Sequence, residues 1–307
     1  MQAADTFADD GLVPGQVVTL APGIRRLLAP NPGPFTGPGT NTYLLGQGAE
    51  IAVIDPGPED PAHLRAILAA LAPGQRVSHI LVTHAHLDHS PLSRALAAET
   101  GAPVLAYGPA LAGRSDVMTR LARAGELGGG EGTDHAFAPD QSLADEAWIQ
   151  GPDWALQALW TPGHFGNHLC FALGDVIFTG DLVMGWSSSL VSPPDGDLTD
   201  FMASCRRLRA RPARLFLPGH GAPVETPAAR LDWLIGHREM REAQLIQALA
   251  AGPASAPALA ARVYTDIAPA LLPAAARNVL AHLIDLMGKS QVAPEGDLHA
   301  ETVFRRL

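Results

Sequence analysis

Short apolar runs that end at turn residues recur along the first two thirds of the chain. Ile51–Ile54, for example, is followed by Asp55-Pro56-Gly57, an arrangement typical of a β-strand and its turn. Strands are predicted at Thr42–Leu45, Ile51–Ile54, Val77–Val82, Pro103–Tyr107, Ala155–Trp160, His168–Leu173, Val176–Phe178 and Leu215–Leu217. Helical spacing predicts helices over Ala62–Leu71, from Ser90 (N-cap) and Pro91 onward, and over Leu198–Ala210. The pattern predicts an α/β fold with helices on both faces of β-sheets.

The last quarter of the chain has a different pattern. Apolar residues at helical spacing predict helices over Ala228–Ala251, Ala258–Val263 and Pro273–Met287, and Val303-Phe304 predicts a closing strand. We therefore predict two domains, a larger one over residues 1–227 and a small helical one over residues 228–307. A unit of this size folds marginally alone and more readily when docked.

Two stretches lack a clear period. The first 40 residues are rich in Pro and Gly and predict turns, whereas Arg114–Asp140, with Gly128-Gly129-Gly130 inside it, predicts a long loop or lid with a broken helix.

Composition limits the compartment and the partners. Apolar residues make up 47% of the 307 residues, enough for a substantial core, and the formal net charge is -10. This charge gives no general attraction to nucleic acid or to an anionic membrane. Two cysteines cannot form a disulfide framework, residues 1–10 do not resemble a signal peptide, and no run of 18–20 apolar residues is evident. We expect a cytoplasmic protein without a membrane partner.

The most informative motif follows the predicted strand Val77–Val82. It reads Thr83-His84-Ala85-His86-Leu87-Asp88-His89-Ser90 and places four candidate metal ligands within six residues. His84, His86 and Asp88 alternate and so face one side of an extended chain, while His89 faces the other. Imidazoles and carboxylates in such density compete for protons unless a cation organises them, and both are good ligands for zinc and similar ions. One loop can thus serve two adjacent metals.

Three later residues extend this set. His164, Asp181 and His220 each follow a predicted strand and come directly after a glycine. The glycine permits a tight turn and a close approach of the backbone to a metal.

Together these motifs resemble those of the metallo-β-lactamase superfamily. The resemblance implies an αββα sandwich with a dinuclear metal site at one sheet edge. It also implies two zinc ions, or alternatively manganese or iron, with Asp181 bridging them. By that resemblance the first metal is held by His84, His86 and His164, and the second by Asp88, His89 and His220. The β-lactamases of the superfamily often have a Cys ligand in the second site, but here Asp181 is the candidate and neither cysteine is near a motif, which argues against β-lactam turnover. His86 stands where diiron oxygen-reducing relatives have Glu, which argues for a zinc-type hydrolase.

Other segments resemble the beta-lactamase-like protein 2 group, in which a winged-helix-like domain follows the sandwich and a eukaryotic member cleaves single-stranded RNA. Pro91 and Phe165 depart from the pattern expected there and affect packing more than ligation. The segments that carry this likeness are Asn31-Pro32-Gly33-Pro34, Gly39–Leu44, Gly163-His164 with His168, and His237-Arg238 with Arg241-Glu242.

Several residues are predicted to support the site. Asp88 is a candidate catalytic residue that steers a proton, and His168 a candidate substrate contact or proton donor. Asp55, with help from Thr83 and Thr179, is a candidate for orienting a histidine ligand. Asn41 and Tyr43 are weaker candidates for substrate contact. The remaining histidines are interpreted as surface or helix residues: His63, His79, His135, His237, His282 and His299.

The predicted function is hydrolysis by a hydroxide that bridges two zinc ions. The substrate is a phosphodiester, such as single-stranded RNA, or a thioester or ester. An arginine cluster at 206–214 would favour RNA, while the acidic net charge disfavours it. Two alternatives stay open: a mononuclear-iron persulfide-type oxygenase, and a non-catalytic module that binds nucleic acid or a partner. A homodimer is compatible with the sequence.

Overall fold

A seven-stranded sheet forms the first half of the fold. The structure, a computed structural model, describes residues 11–124, 127–130 and 132–307, so that the prediction for residues 1–10 lies outside the described residues. The strands occur in the order β1 to β7, antiparallel from β1 to β4 and parallel from β4 to β7. They are β1 (Val18–Ala21), β2 (Ile24–Leu28), β3 (Asn41–Leu45), β4 (Glu50–Ile54), β5 (Arg76–Leu81), β6 (Val104–Ala106) and β7 (Gln141–Ser142).

A five-stranded sheet packs face to face against the first. Its order is β12-β11-β10-β9-β8, antiparallel except for the β11–β12 pair. Apolar side chains such as Tyr43 and Ile54 of the first sheet and Phe171 and Phe178 of the second share one buried cluster. The strands are β8 (Trp148–Gln150), β9 (Ala155–Trp160), β10 (Leu169–Leu173), β11 (Val176–Gly180) and β12 (Leu215–Pro218).

Helices cover both outer faces. Ile67 of α1 and Leu96 of α2 pack on the first sheet, whereas Phe201 of α4 and Leu234 of α5 pack on the second. This arrangement confirms the predicted αββα sandwich. The helices are α1 (Pro61–Ala69), α2 (Leu92–Thr100), α3 (Asp116–Ala124), α4 (Leu198–Arg209) and α5 (Pro227–Ala250).

The C-terminal part is helical with a small sheet, the expected winged-helix arrangement. Its strands pair antiparallel in the order β13-β15-β14, so the predicted strand at Val303 is present. Pro269–Gly288 is long and apolar enough to cross a membrane by length and composition, but half of its most apolar window is buried in the fold, as in a core helix. The elements are β13 (Ala254–Ser255), α6 (Ala256–Val263), a 3-10 turn (Pro269–Leu271), α7 (Leu272–Gly288), β14 (Val292–Pro294) and β15 (Val303–Arg306).

The predicted division at 227/228 falls at the start of a continuous helix. Leu231 and Leu234, near the beginning of α5, pack in the core beneath the second sheet, while Leu245 and Leu249, near its end, pack in the C-terminal core. Helix α5 therefore belongs to both cores.

The predicted lid also joins the C-terminal core. Residues 116–124 form α3, the helical piece predicted within this stretch, and Met118, with Leu127, packs in the same cluster as Leu245 and Leu283. Apolar residues of α3 thus find their partners far along the sequence, where local periodicity carries little information.

Three other predictions needed correction. Strands β1 and β2 lie in the stretch that predicted only turns, because Arg25 and Arg26 interrupt their apolar pattern. Ser90 is not the cap of α2: its hydroxyl faces the Asp134 carboxylate at 2.9 Å and the His86 carbonyl at 3.1 Å, and its one proton is donated to one of these acceptors. His79, interpreted as a surface or helix residue, lies in β5 and is half-buried, whereas His63 and His282 are helical as interpreted and are each 1% exposed.

Candidate metal centre

Four side chains converge where β5, β9 and β11 end. His84 and His86 follow β5, His164 follows β9 and Asp181 follows β11. Their ligand atoms lie within 4.8 Å of one another. His86 Nδ1 is 2.9 Å from His84 Nε2 and 3.1 Å from His164 Nε2. The three imidazoles predicted to hold the first metal are therefore together.

A second group lies beside the first. Asp88, His89 and His220 also bring their ligand atoms within 4.8 Å of one another. His220 Nε2 is 3.1 Å from Asp88 Oδ2 and 3.3 Å from Asp181 Oδ2, while His89 Nε2 is 3.5 Å from Asp181 Oδ1. Asp181 thus lies between the two groups, the position expected of a bridging carboxylate.

Hydrogen bonds fix the orientation of four of the five imidazoles. In each, Nδ1 faces an oxygen of the fold, so that the Nδ1 proton is donated there and Nε2 presents its lone pair to the centre. The acceptors are Thr83 Oγ1 for His84 (2.9 Å), Asp55 Oδ2 for His89 (2.9 Å), the Leu190 carbonyl for His164 (2.7 Å) and the Gly39 carbonyl for His220 (3.1 Å).

Asp55 organises the histidine loop, as predicted for an orienting residue. The carboxylate is buried, accepts from Thr83 N at 2.7 Å and from Thr83 Oγ1 at 2.8 Å, and faces His89 Nδ1. Because Thr83 Oγ1 donates to Asp55, it can only accept from His84 Nδ1. One carboxylate therefore sets the tautomers of His84 and His89. Asp55 has a φ of 51°, a strained backbone conformation of the kind found at functional sites.

Opposing effects set the protonation of the centre. Burial lowers the pKa of His86 to about 3 and lowers that of His84 and His164. Burial also opposes a charge on His220, but Asp181 and then Asp88 outweigh it and raise its pKa to about 10. The second group therefore attracts positive charge, which a proton or a divalent cation can supply.

The donor set fits a divalent metal pair. Nε2 of His84 and of His164 are both unprotonated and lie near the same His86 nitrogen, whose single proton can satisfy only one of them, whereas a cation accepts the lone pairs together. Buried Asp181 Oδ1 finds no hydrogen-bond partner in the described part of the chain. Nitrogen and carboxylate ligands in this ratio suit zinc, iron or manganese.

Glycine is required where the strands approach the centre. A Cβ at Gly219 would lie 2.4 Å from Asp181 Oδ1 and 2.7 Å from His89 Cε1. The glycine that precedes His220 is therefore a steric requirement of the ligand cluster, as the sequence predicted.

His168 is not placed as a substrate contact. Its side chain is fully buried, its ring centroid is 5.3 Å from that of His84, and its Nδ1 lies 3.0 Å from Thr161 Oγ1. Its Nε2 has no hydrogen-bond partner among the described residues. The prediction of a catalytic role at the cleft is thus corrected: His168 packs beneath the ligands, because the turn after Gly163 directs His164 to the centre and His168 inward.

The weaker substrate candidates are also structural. Tyr43 donates its hydroxyl hydrogen bond to the Pro218 carbonyl, and Asn41 Nδ2 donates to the carbonyls of Pro218 and Gly221. Both are buried and hold the turn that carries His220.

Two groups that support the centre carried no signal in the sequence. They are the backbone carbonyls of Gly39 and Leu190, and a carbonyl has no residue-type signature. The segment at 132–134 is a further case, since Thr133 pairs with His86 in an isolated bridge and Leu87 N donates to Gly132 O.

Four of the five arginines of the 206–214 cluster pair with carboxylates. Arg206 pairs with Glu239, and Arg211 donates to Gln157. The other pairs are Arg207 with Asp145 and Glu146, Arg209 with Asp232, and Arg214 with Asp175. The cluster thus forms a paired surface rather than a free basic groove.

Comparison with known families gives two matches. The model of the metallo-beta-lactamase superfamily matches residues 35–220, and that of the beta-lactamase associated winged helix domain matches residues 255–301. The first contains both ligand groups.

Relatives of known name resemble most of the chain. A beta-lactamase-like protein 2 homolog of Drosophila melanogaster is 31% identical over 299 residues, which are 93% of this chain and 95% of that protein. An atrochrysone carboxyl ACP thioesterase of Aspergillus fumigatus is 33% identical over 239 residues, 76% of this chain and 67% of the relative. A metallo-beta-lactamase family protein from Thermus thermophilus has a TM-score of 0.75 at 27% identity, covering 94% of this chain and 100% of that one.

Proposed function

The chain belongs to the metallo-beta-lactamase superfamily, and from that premise we propose that it is a dinuclear zinc hydrolase whose substrate is a thioester. The observation that carries the proposal is the pair of ligand groups joined by Asp181. The second complete group of metal ligands argues against the mononuclear-iron alternative. Membership of the superfamily argues against a non-catalytic module.

His84, His86 and His164 would hold one ion, Asp88, His89 and His220 the other, and Asp181 both. Two zinc ions bound there would supply a hydroxide nucleophile at neutral pH and would stabilise the negative charge that develops on the attacked oxygen.

Asp88 is suited to a second task. Its side chain is 27% exposed, whereas that of Asp181 is 9% exposed. Despite burial, His89 and His220 hold its pKa well below the usual range, so it is an acceptor over the physiological range. We assign to Asp88 the reception and steering of a proton at the solvent side of the centre.

Three observations favour a thioester over RNA. Four of the five arginines at 206–214 pair with carboxylates and Arg211 donates to the neutral Gln157 amide, so the cluster offers little uncompensated charge to a phosphate backbone. Leu87, between two ligands, is 51% exposed, and Phe35, on the loop that leads to Gly39, is 55% exposed. An exposed apolar side chain between two ligands, as at Leu87, suits an acyl group better than a polyanion. The relative from Aspergillus fumigatus is named a thioesterase.

Single-stranded RNA is the second candidate. It is favoured by the similarity over 93% of the chain, winged-helix part included, to the Drosophila beta-lactamase-like protein 2 homolog.

Substrate choice is tested with metal-quantified protein and four substrates: S-lactoylglutathione, an acyl-CoA, single-stranded RNA and bis(p-nitrophenyl) phosphate. We expect two zinc ions per chain and the highest kcat/KM for a thioester. Cleavage of RNA with inert thioesters would select the second candidate, and one iron per chain would reject the dinuclear zinc proposal.

Metal dependence gives the first mutational prediction. Removal of zinc by a chelator, or the substitutions His86→Ala and Asp181→Ala, should reduce hydrolysis by at least about 100-fold, because each takes away a ligand or the nucleophile itself. Circular dichroism should still report the native fold, since these side chains lie at a sheet edge. Added zinc should restore the chelated wild type but not the variants. Turnover by either variant at the wild-type rate contradicts the assignment.

A further inference from the structure

The orientation of His164 depends on one peptide group of a distant loop. His164 Nδ1 lies 2.7 Å from the Leu190 carbonyl oxygen, which can only accept. His164 therefore donates from Nδ1 and directs Nε2 to the centre. Leu190 lies between β11 and α4, in a segment without regular secondary structure. Its carbonyl must be held by something other than a strand or helix.

The other end of the same peptide group is bound by the C-terminal part. Val191 N donates to Asn278 Oδ1 of α7 at 3.0 Å. The Leu190 carbonyl and the Val191 N–H belong to one planar amide, so fixing one end fixes the direction of the other. His164 and Asn278 thus bind opposite ends of one planar peptide group.

Arg238 of α5 reinforces this arrangement. Its Nη2 donates to the carbonyls of Ser188 (2.7 Å) and Ser189 (2.6 Å), and its Nη1 donates to Asn278 Oδ1 (3.1 Å). The arginine is 1% exposed, and Ser189 has a φ of 60°, a left-handed conformation that needs such support. The guanidinium therefore holds both the segment and the asparagine that binds it.

We propose that Asn278 is a positioning residue for the metal centre, and that the C-terminal helices set the geometry of His164 through Asn278, Arg238 and the Leu190–Val191 peptide. This gives the winged-helix part a role inside the catalytic site in addition to any role in substrate binding. The inference rests on the proposed function in one respect, that His164 holds a metal.

The test compares three variants of the full chain. Asn278→Leu removes the acceptor for Val191 N at similar volume, whereas Asn278→Asp keeps an acceptor oxygen there. The matched control is Thr199→Val, which removes the 2.6 Å hydrogen bond from Thr199 of α4 to Asp285 of α7, another contact between the two parts that does not involve residues 188–191. Zinc affinity is measured by competition with a chromophoric chelator below the unfolding temperature of every variant, and the visible spectrum of the cobalt-substituted protein is recorded.

We expect Asn278→Leu to weaken zinc binding about tenfold and to change the cobalt spectrum, as loss of a group that orients a histidine ligand does. Asn278→Asp should have the zinc affinity and the cobalt spectrum of the wild type. Thr199→Val should also keep the wild-type zinc affinity and cobalt spectrum, although its unfolding temperature is lower. Wild-type affinity in Asn278→Leu overturns the inference, and so does equal weakening in Asn278→Leu and Thr199→Val, which indicates docking alone.

Two further outcomes are distinguishable. If Asn278→Leu does not fold, Asn278→Ala is measured in its place against the same control and the same criteria. A wild-type chain that binds no zinc overturns the proposed function, whereas a wild-type chain that binds zinc beside an unaffected Asn278 variant overturns this inference alone.

Discussion

At the scale of single residues, the metal centre depends on the absence of a side chain at Gly219 as much as on the ligands. Gly219 leaves the space that the Asp181 carboxylate and the His89 ring occupy. A methyl group 2.4 Å from a carboxylate oxygen forces the strand end or the ligand to move, and backbone within a paired strand end moves at high cost. The position before His220 therefore accepts only glycine, just as the ligand position itself accepts few residue types.

Gly219→Ala should consequently lose zinc and activity. We expect zinc affinity to fall by at least about tenfold, since a displaced ligand costs as much as a lost orienting group. The matched control is Gly236→Ala in α5, where a Cβ would meet no described atom within 4 Å. This control should keep its zinc and gain up to about 1 kcal/mol in stability from helix propensity. Full zinc occupancy in Gly219→Ala, measured by elemental analysis, would contradict the steric argument.

At the scale of elements, buried histidines join strands to helices. His63 of α1 lies 2.8 Å from Thr42 Oγ1 of β3, and because Thr42 donates to the Asp55 carbonyl, His63 Nε2 must donate to Thr42. Burial, only partly offset by Asp60, lowers the pKa of His63 to about 4. The neutral ring is therefore the form that fits between helix and sheet.

This pKa predicts a loss of stability in mild acid. An unfolded histidine takes up a proton near pH 6.5, whereas folded His63 resists until about pH 4. The contribution of the neutral ring is thus fully present above pH 6.5, falls as pH decreases from 6.5 to 4, and changes no further below, with a total on the order of 3 kcal/mol. His63→Gln, which does not titrate, should unfold in urea with a shallower pH dependence over this window. Equal slopes for wild type and variant would exclude His63 as the source.

At the scale of the whole molecule, the two parts are not independent units. Helix α5 contributes Leu231 and Leu234 to one core and Leu245 to the other, and Met118 of α3 crosses into the C-terminal core. Burial of one such side chain is worth about 1.5–3 kcal/mol, so separation removes several such contributions from each side.

A fragment of residues 1–227 should therefore be insoluble or lack zinc. It loses α5, the helix that covers Phe201 and Phe216. It also loses Asn278 and Arg238, which hold residues 188–191, the segment whose carbonyl orients His164. A longer fragment ending at residue 252 should be more soluble, because α5 is retained, yet should bind zinc more weakly than the full chain. Solubility on expression and zinc content measure both effects. A soluble 1–227 fragment with full zinc would show that the parts are separable.

Local patterns along the chain were enough to predict the ligand chemistry and helices on both faces of β-sheets, and the resemblance to the superfamily supplied the αββα sandwich. Strands β3, β4, β9 and β10 are recognisable because apolar runs and turn residues are local properties, and the ligand-rich loop is recognisable because its residues are contiguous. The role of the glycines before the later ligands, to allow a tight turn, was predictable for the same reason, because each directly precedes its ligand: Gly163, Gly180 and Gly219.

The groups that orient the ligands, and the contacts that join the two parts, became known only from the three-dimensional packing of the chain. His164 is oriented by the Leu190 carbonyl, 26 positions along the chain, and the same peptide group is bound by Asn278, 87 positions beyond Val191. Every residue has a backbone carbonyl, so the sequence does not show which carbonyl orients a ligand. The docking of α3 and the pairing of the arginine cluster are likewise long-range contacts. The burial of His168 depends on the direction in which one turn leaves the strand. Such features arise from the packing of distant segments, and their energetics are absent from any short stretch of sequence.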